Sequence, residues 1–388
     1  MVNEKLPKTT AEFETELIEI RHLFHQFPEL SNEEFQTTAS IRKLLLEADI
    51  EILDLPLKTG LVAQVSGNKN GPVIAIRCDI DALPIQEQTQ LSYKSVNDGI
   101  MHACGHDFHT TAVLGSAFLL KQNEECLAGT VKIIFQPAEE SGRGSLHILE
   151  TGVLEEVEAI FGLHNSPSLP LGALGTRSGP FYAAVDRFEI EIKGAGAHAA
   201  TPEKGTDPIV IAAQIVSSLQ TIVSRNISAF DQALISVTQL TCGNTWNVIP
   251  ETAYLQGTVR TLKAETRKLI LDRIRQLSSG IATAFNASAE ISFSDGPSAV
   301  YNDSKWTDFA FNVAEASGFI TEEIPPELIG EDFSDYQKHI PGVFVNIGTG
   351  TPYPLHHPKF TVDDNILLKT AHYFAILAEA ALHELTTG

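Results

Sequence analysis

Positive charge is what this 388-residue chain has least of: 27 lysines and arginines stand against 49 aspartates and glutamates, for a formal net charge of −22. A phosphate backbone or an anionic membrane surface calls for a clustered positive face, which this balance disfavours. Cysteine is scarcer still. The four thiols, Cys78, Cys104, Cys126 and Cys242, show no Cys-x-x-Cys spacing and are too few to staple so long a chain. Reduced thiols in a cytoplasmic protein are the expectation. No segment reaches the ~18 apolar residues of a membrane span, and Met1–Lys8 opens without the apolar core of a signal peptide. There is no internal repeat and no low-complexity tract. At 43% hydrophobic residues the chain can fill two cores, the number its length suggests.

Against this background one stretch stands out. Met101-His102-Ala103-Cys104-Gly105-His106-Asp107-Phe108-His109 holds three imidazoles, a thiol and a carboxylate. Thiolate plus imidazole suits a borderline-soft transition ion, and the alternation of Cys104 and His106 lets both point one way from an extended segment. Three further clusters follow: Pro137-Ala138-Glu139-Glu140, Gly162-Leu163-His164-Asn165 and Leu355-His356-His357-Pro358. Singly, each has an ordinary explanation as a helix start, a surface pair or a buried small side chain. Their context is what they share. Glu139-Glu140 follow the apolar run Val131–Phe135, His164 ends Ala159–Leu163, and Asp79 and Asp81 follow Val73–Cys78. The carboxyl ends of strands are where open α/β sheets gather ligands, so the clusters together point to a two-metal hydrolase. Of two adjacent carboxylates, one can ligate while the other takes a proton from the attacking water. Spacing does not say which of Glu139 and Glu140 does which, nor does it separate His356 from His357.

Apolar periodicity predicts helices over Phe13–Phe27 and Asn32–Ala48, the second opened by a cap-like Ser31-Asn32-Glu33-Glu34. Strands Val62–Val65, Val73–Arg77, Val131–Phe135 and Ala159–Leu163 then alternate with helices Phe108–Glu124 and Ser145–Thr151. The fold class expected is α/β, a doubly wound catalytic domain around a central mixed sheet. After Gly179-Pro180 the order becomes β-α-β-β-α-β: Asp186–Lys193, Pro208–Arg225, Leu234–Cys242, Tyr254–Thr261, Glu265–Phe285 and Ala289–Phe293. That is a ferredoxin-like unit of a size to stand as an inserted lid or dimerisation domain. The expected division is a catalytic domain over 1–183 and 295–388 with the insertion over 184–294. Helix Asp308–Ala316, strand Gly342–Ile347 and helix Asp364–His383 complete the first domain, and Leu355-His356 returns to its site. Ser141-Gly142-Arg143-Gly144 and Gly348-Thr349-Gly350 lack dinucleotide or P-loop spacing and read as turns.

The motifs Asp79-Ile80-Asp81-Ala82-Leu83-Pro84, His102-Ala103-Cys104-Gly105-His106-Asp107 and Gln136-Pro137-Ala138-Glu139-Glu140, in this order and with the insertion before the last cluster, resemble the M20 metallopeptidase and amidohydrolase family. More narrowly they are similar to its subfamily D of N-acyl-amino-acid amidohydrolases and hippurate hydrolases. The resemblance spans the chain from His22 to Pro358. It implies two divalent ions per subunit (Mn, Zn, Co or Ni) held by Cys104, His106, Glu140, His164 and His356, with Cys104 bridging. Glu139 would be the general base. In the wider family a His-x-Asp motif supplies one ligand; the aligned position here is Asp79, so the resemblance implies that this ligand is absent, that Cys104-x-His106 replaces it, and that Asp81 is left as an orienting residue. The resemblance also implies that His198 crosses a dimer interface to hydrogen-bond the oxyanion. Asn247 and Arg260 on the insertion are candidate contacts for the substrate's α-carboxylate, although a structural salt bridge for Arg260 is as natural. The activity implied is hydrolysis of N-acetyl or N-benzoyl amino acids by a cytoplasmic homodimer or tetramer. The alternatives are a dipeptidase or aminopeptidase of the same family and a catalytically silent metal-binding homologue. His22, His102, His109 and His147 have no assignment.

Overall fold

The computed structural model describes residues 9–387 apart from Lys69. Met1–Lys8, read above as lacking an apolar leader, lie outside the described residues. The described chain divides into two compact units. One comprises the chain up to Gly179, Tyr301–Pro325 and Asp335 onward; the other comprises Pro180–Val300 and Pro326–Ser334. The boundaries expected at 183/184 and 294/295 thus fall a few residues away. Residues 326–334 go with the insertion because Tyr182 bridges Glu327 and the Ala183 amide donates to Ile329 O.

In chain order the first unit begins with α1 (Thr10–Gln26), α2 (Phe35–Glu47), β1 (Glu51–Ile52), β2 (Leu61–Ser66), β3 (Val73–Asp79), α3 (His106–Gln122), β4 (Thr130–Gln136), α4 (Gly144–Leu149), β5 (Val157–Ser166) and β6 (Ala173–Thr176). The second contains β7 (Ala184–Lys193), β8 (Ala197–His198), α5 (Pro208–Asn226), β9 (Ala233–Cys242), β10 (Val248–Ile249), β11 (Thr252–Thr261), α6 (Ala264–Ala284) and β12 (Ser288–Asp295). The chain returns through α7 (Ser304–Ala316), β13 (Ile320–Glu323), β14 (Gly342–Gly348) and α8 (Leu367–Thr387).

The first unit is built on one mixed sheet of eight strands in the order β1-β2-β4-β3-β5-β14-β6-β13. Its centre, β4-β3-β5-β14, is parallel, while β2 and β6 join it antiparallel. Central strands covered on both faces must be apolar nearly throughout. The sequence obliges: β4, β5 and β14 are buried over almost their whole length. Ile74, Ile76 and Cys78 of β3 enter one apolar cluster with side chains of α1, α2, α3, α7 and α8. Burying a Leu- or Ile-sized side chain stabilises by about 1.5–3 kcal/mol, so this cluster is the main source of the unit's cohesion. The parallel arrangement brings the carboxyl ends of β3, β4, β5 and β14 to one edge, and the clusters singled out in the sequence lie in the last residues of those strands, in the segments that follow them, or at the start of α3.

The second unit is a four-stranded antiparallel sheet, order β9-β11-β7-β12, the strand order of a ferredoxin-like βαββαβ fold. Both helices lie on one face. Although no membrane-span run was expected, α5 is long and apolar enough by composition to cross a membrane. It instead buries Ile211, Ile215, Leu219 and Ile222 against Phe188, Ile190, Leu255 and Val259 of the sheet, in the i, i+4, i+8 stripe of an amphipathic core helix. The other sheet face is polar, because β7 and β11 alternate buried and accessible residues.

Candidate metal centre

The donor atoms converge at the parallel strand ends. Cys104 is buried just before α3, and His106 is the first residue of that helix. Between them Gly105 adopts φ 85°, and a Cβ there would stand 2.3 Å from Asn165 Nδ2. Only glycine makes this close left-handed turn without strain. His106 Nδ1 lies 3.2 Å from Asp81 Oδ1 and donates to it, leaving Nε2 as the free lone pair. His164 Nδ1 donates to Asn165 O at 2.7 Å, which likewise frees its Nε2, 3.4 Å from Cys104 Sγ. His356 Nε2 approaches Cys104 Sγ from another direction at 3.3 Å and meets Glu140 Oε1 at 3.4 Å. The potential ligand atoms fall into two triads, Cys104-His106-His164 and Cys104-Glu140-His356, sharing the thiol.

These residues fit a pair of cations. Ligands bound tetrahedrally at 2.0–2.3 Å lie roughly 3.3–3.8 Å apart, close to the spacings found. Both His106 Nε2 and Glu140 Oε1 are buried without a hydrogen-bond partner among the described residues, a cost that a shared cation removes. The electrostatics agree. Burial and the nearby Glu140, Glu139 and Asp79 push the Cys104 thiol well above its ordinary range, so only added positive charge turns it into a thiolate. Burial lowers the His106 imidazole, but Asp79, Asp81 and Glu140 outweigh it and raise it to about 10. The pocket is short of positive charge by design of its neighbours.

Glu139 and Glu140 stand on a short 3-10 turn, Glu139–Ser141, after Ala138, which has φ 56°. The strained alanine is held from both sides. Glu34 Oε1 accepts the Ala138 amide at 2.8 Å, and Asp81 Oδ2 accepts the Glu140 amide at 3.0 Å. Glu139 shares with His106 and Glu140 a further group of mutually close donors. His356 adopts φ 63° and donates its amide to Ala103 O at 2.8 Å. That backbone sends His356 to the thiol, whereas His357 stacks on Tyr353 with centroids 4.7 Å apart.

Several supporting residues were not anticipated. The expected cap Ser31-Asn32-Glu33-Glu34 does not cap α2: Glu34 occupies the cap position with no side-chain bond to the helix. Its carboxylate serves Ala138 and Asn32, and Ser31 Oγ donates to Asp81 Oδ2 at 2.6 Å. Asp79 accepts from Arg77 Nη1 at 2.8 Å and from His109 Nδ1 at 2.6 Å. Asp107, next to His106, accepts from Arg21 Nε at 3.1 Å and from His25 Nδ1 at 3.0 Å, while His25 Nε2 points to Glu87 Oε1 at 3.3 Å. His22 bonds Asp364 and stacks on Tyr93; His147 is exposed. His102 is buried without hydrogen bonds at either nitrogen, and burial lowers it to about 4.

The His25 pair yields a pH prediction. Burial lowers the imidazole, but the Asp107 charge and the bonds to Asp107 and Glu87 override it and raise His25 to about 9, against 6.5 when unfolded. A raised folded value stabilises fully below pH 6.5 and loses that contribution as pH climbs through 9; the difference corresponds to about 3 kcal/mol. The unfolding midpoint should therefore fall between pH 6.5 and 9.5 in the unaltered protein and much less in His25→Gln. Equal slopes in the two proteins would contradict the pairing.

In the second unit, His198 is exposed and pairs with Val248 across β8 and β10, and the Ala199 amide donates to Asn247 O at 3.1 Å. His198 and Asn247 are thus neighbours. Arg260 is not with them. Thr252 pairs Lys193 at one end of β11 and Arg260 pairs Val185 at the other, a separation of about 26 Å at the rise of a strand. Within one copy the two candidate contacts for the substrate's α-carboxylate, Asn247 and Arg260, thus lie toward opposite ends of β11. Among the described residues Arg260 forms no salt bridge; the buried Asp186 is taken by Arg267, with bonds of 2.8 and 2.7 Å.

The profile described as Peptidase family M20/M25/M40 matches residues 75–380. An N-acetylcysteine deacetylase of Bacillus subtilis (strain 168) is 49% identical over 95% of this chain and 98% of its own length. A protein described as thermostable carboxypeptidase 1, from Saccharolobus solfataricus, is 37% identical over 97% of this chain and 98% of its own. The crystal structure of a Bacillus subtilis protein described as a dinuclear metal binding peptidase from the M20 family superposes with a TM-score of 0.88 at 46% identity, covering 96% of this chain and 99% of that one. With the profile spanning most of the chain and relatives this similar over nearly their full lengths, the protein belongs to peptidase family M20/M25/M40.

Proposed function

We propose that this protein is a metal-dependent amidohydrolase that cleaves N-acyl amino acids, of the acetyl or benzoyl type, into a carboxylate and a free amino acid. The observation that carries the reading is the pair of donor triads sharing Cys104, with a second carboxylate, Glu139, beside them. Cys104, His106 and His164 would hold one divalent ion, and Cys104, Glu140 and His356 the other. When bound, the ions would polarise the amide carbonyl and lower the pKa of the attacking water. Glu139 takes that water's proton and returns it to the leaving amine. Asp81 fixes the ring and tautomer of His106 and the backbone of Glu140, so a single carboxylate orients one ligand of each triad.

His198 in this reading acts from a second copy by donating to the oxyanion, and Asn247 and Arg260 are contacts for the substrate's α-carboxylate. The exposed side chains of Phe230, Trp246, Leu240 and Val248 on the second unit support a homodimer through that unit, with a tetramer as the extended form. A thiol that must stay reduced to ligate supports a cytoplasmic location, and Mn, Zn, Co and Ni all suit the donor set.

The test is a panel of N-acetyl and N-benzoyl amino acids and dipeptides, given to metal-stripped protein reloaded with Mn or Zn. Ion-dependent release of free amino acid from the acyl substrates is expected. Faster cleavage of dipeptides would move the protein to the peptidase side of its family, the reading favoured by the carboxypeptidase likeness. Silence with every ion would leave a binding protein.

A further inference from the structure

Behind the donors, and touching two of them through the backbone, lies a buried chain of hydrogen bonds that the reaction itself does not use. Arg77 Nη1 donates to Asp79 Oδ2 at 2.8 Å, and both side chains are fully buried. This buried ion pair makes Asp79 an acceptor. An anion at Asp79 can only accept, so His109 Nδ1, 2.6 Å from Asp79 Oδ1, must carry the proton. His109 Nε2 is then obliged to be an acceptor, and it accepts the Asn165 backbone N–H at 2.8 Å. The Asn165 side chain in turn sends Nδ2 to Cys104 O at 2.5 Å. Asn165 is the residue after His164, and its carbonyl fixes the His164 ring at Nδ1. The His109 ring also packs edge-on against His164, with centroids 4.7 Å apart.

Asp79, His106 and His109 are close enough to count as a possible cation site themselves. Their partners argue otherwise: each oxygen of Asp79 already has a partner, Arg77 or His109, and His109 has a partner at each nitrogen.

We propose that His109 is a positioning residue that holds His164 in place against Cys104, and so governs the affinity of the ion held by the Cys104-His106-His164 triad more than that of the ion held by Cys104, Glu140 and His356. The inference rests on the two-ion reading above. Its logic is geometric. The His109 bond goes to the amide that follows His164, a ligand of one triad only, while the shared Cys104 keeps its own bond from the Asn165 side chain, and Glu140 and His356 are positioned by Asp81 and Ala103. Loss of a partner behind a metal ligand typically weakens affinity 10–100-fold.

Two substitutions divide the imidazole in half. In His109→Asn the amide can replace Nδ1 toward Asp79, but nothing reaches Asn165. In His109→Gln the amide oxygen can replace Nε2 toward Asn165, but the Asp79 contact is lost. Metal-free protein would be titrated with Co²⁺ against a competing chelator, following the thiolate-to-cobalt absorption. The unaltered protein should take up two ions. His109→Asn should weaken one ion by about 10–100-fold and leave the other within about threefold, with the absorption persisting because Cys104 still ligates the remaining ion. His109→Gln should stay within about threefold for both.

Two ions weakened equally, or the weaker binding appearing in His109→Gln, would overturn the inference. So would variants that bind as the parent does. Uptake of a third ion that His109→Asn removes would make His109 a ligand instead. Should His109→Asn fail to fold, long-range proton–nitrogen correlation on the unaltered protein still decides. The proposal requires the proton at Nδ1 of His109 and none at Nε2, and a proton at Nε2 would end it. Absence of any ion uptake by the unaltered protein would defeat the two-ion reading together with this one, whereas two ions with unaffected variants would defeat this one alone.

Discussion

Glu139→Gln should lower turnover of an N-acyl amino acid by about a thousandfold while leaving the ion content of the protein unchanged. The substitution is nearly isosteric and removes only the capacity to take a proton. Its backbone is held independently of its side chain, since the turn hangs from Glu34 at Ala138 and from Asp81 at Glu140. Glu140 is the carboxylate placed with Cys104 and His356, so loss of the Glu139 charge should not release an ion. Metal content and kcat measured on the same preparation check this. If the ions leave with the charge, Glu139 is a ligand; if turnover stays within tenfold, another group is the base.

The second large effect belongs to Cys104→Ala. Its sulfur is 3.4 Å from His164 Nε2 and 3.3 Å from His356 Nε2, the only one of the proposed ligands common to both triads. Removing a shared ligand should weaken both ions, each by more than the 10–100-fold typical of a supporting residue. Metal content should fall from about two ions to below one per chain after dialysis, with turnover lost in parallel. His106→Ala gives the contrasting case, since His106 joins Cys104 in only one of those triads. One full ion retained by Cys104→Ala would show that the thiol serves a single ion and does not bridge.

What the sequence made legible was whatever is local. The β3, β4, β5 and β14 cores are runs of β-branched and aromatic residues, and the clusters at their ends lie within a few residues of them. The five short strands β1, β6, β8, β10 and β13 escaped because two to four residues carry no period to detect. The 19 residues of α5 read as a helix of the insertion and not as a span, although apolar content alone does not separate the two. At the site, Glu34 and Ser31 looked like a helix cap because capping and long-range hydrogen bonding use the same side chains. The partners that use them, Ala138 and Asp81, are 104 and 50 positions away. The choice of His356 over His357 is written in a left-handed backbone angle, and the separation of Arg260 from Asn247 in strand register. Neither is a property of spacing. His109 had no assignment for the same reason: its neighbours Asp79 and Asn165 are 30 and 56 residues off.

The central claim is that two ions share the thiolate of Cys104. Anomalous diffraction from crystals of the zinc-loaded protein, recorded above and below the zinc edge, tests it most directly. Two peaks are predicted, each about 2.3 Å from Cys104 Sγ, one also beside His164 and the other beside Glu140 and His356. A single peak, or two peaks of which only one touches Cys104, would contradict the account.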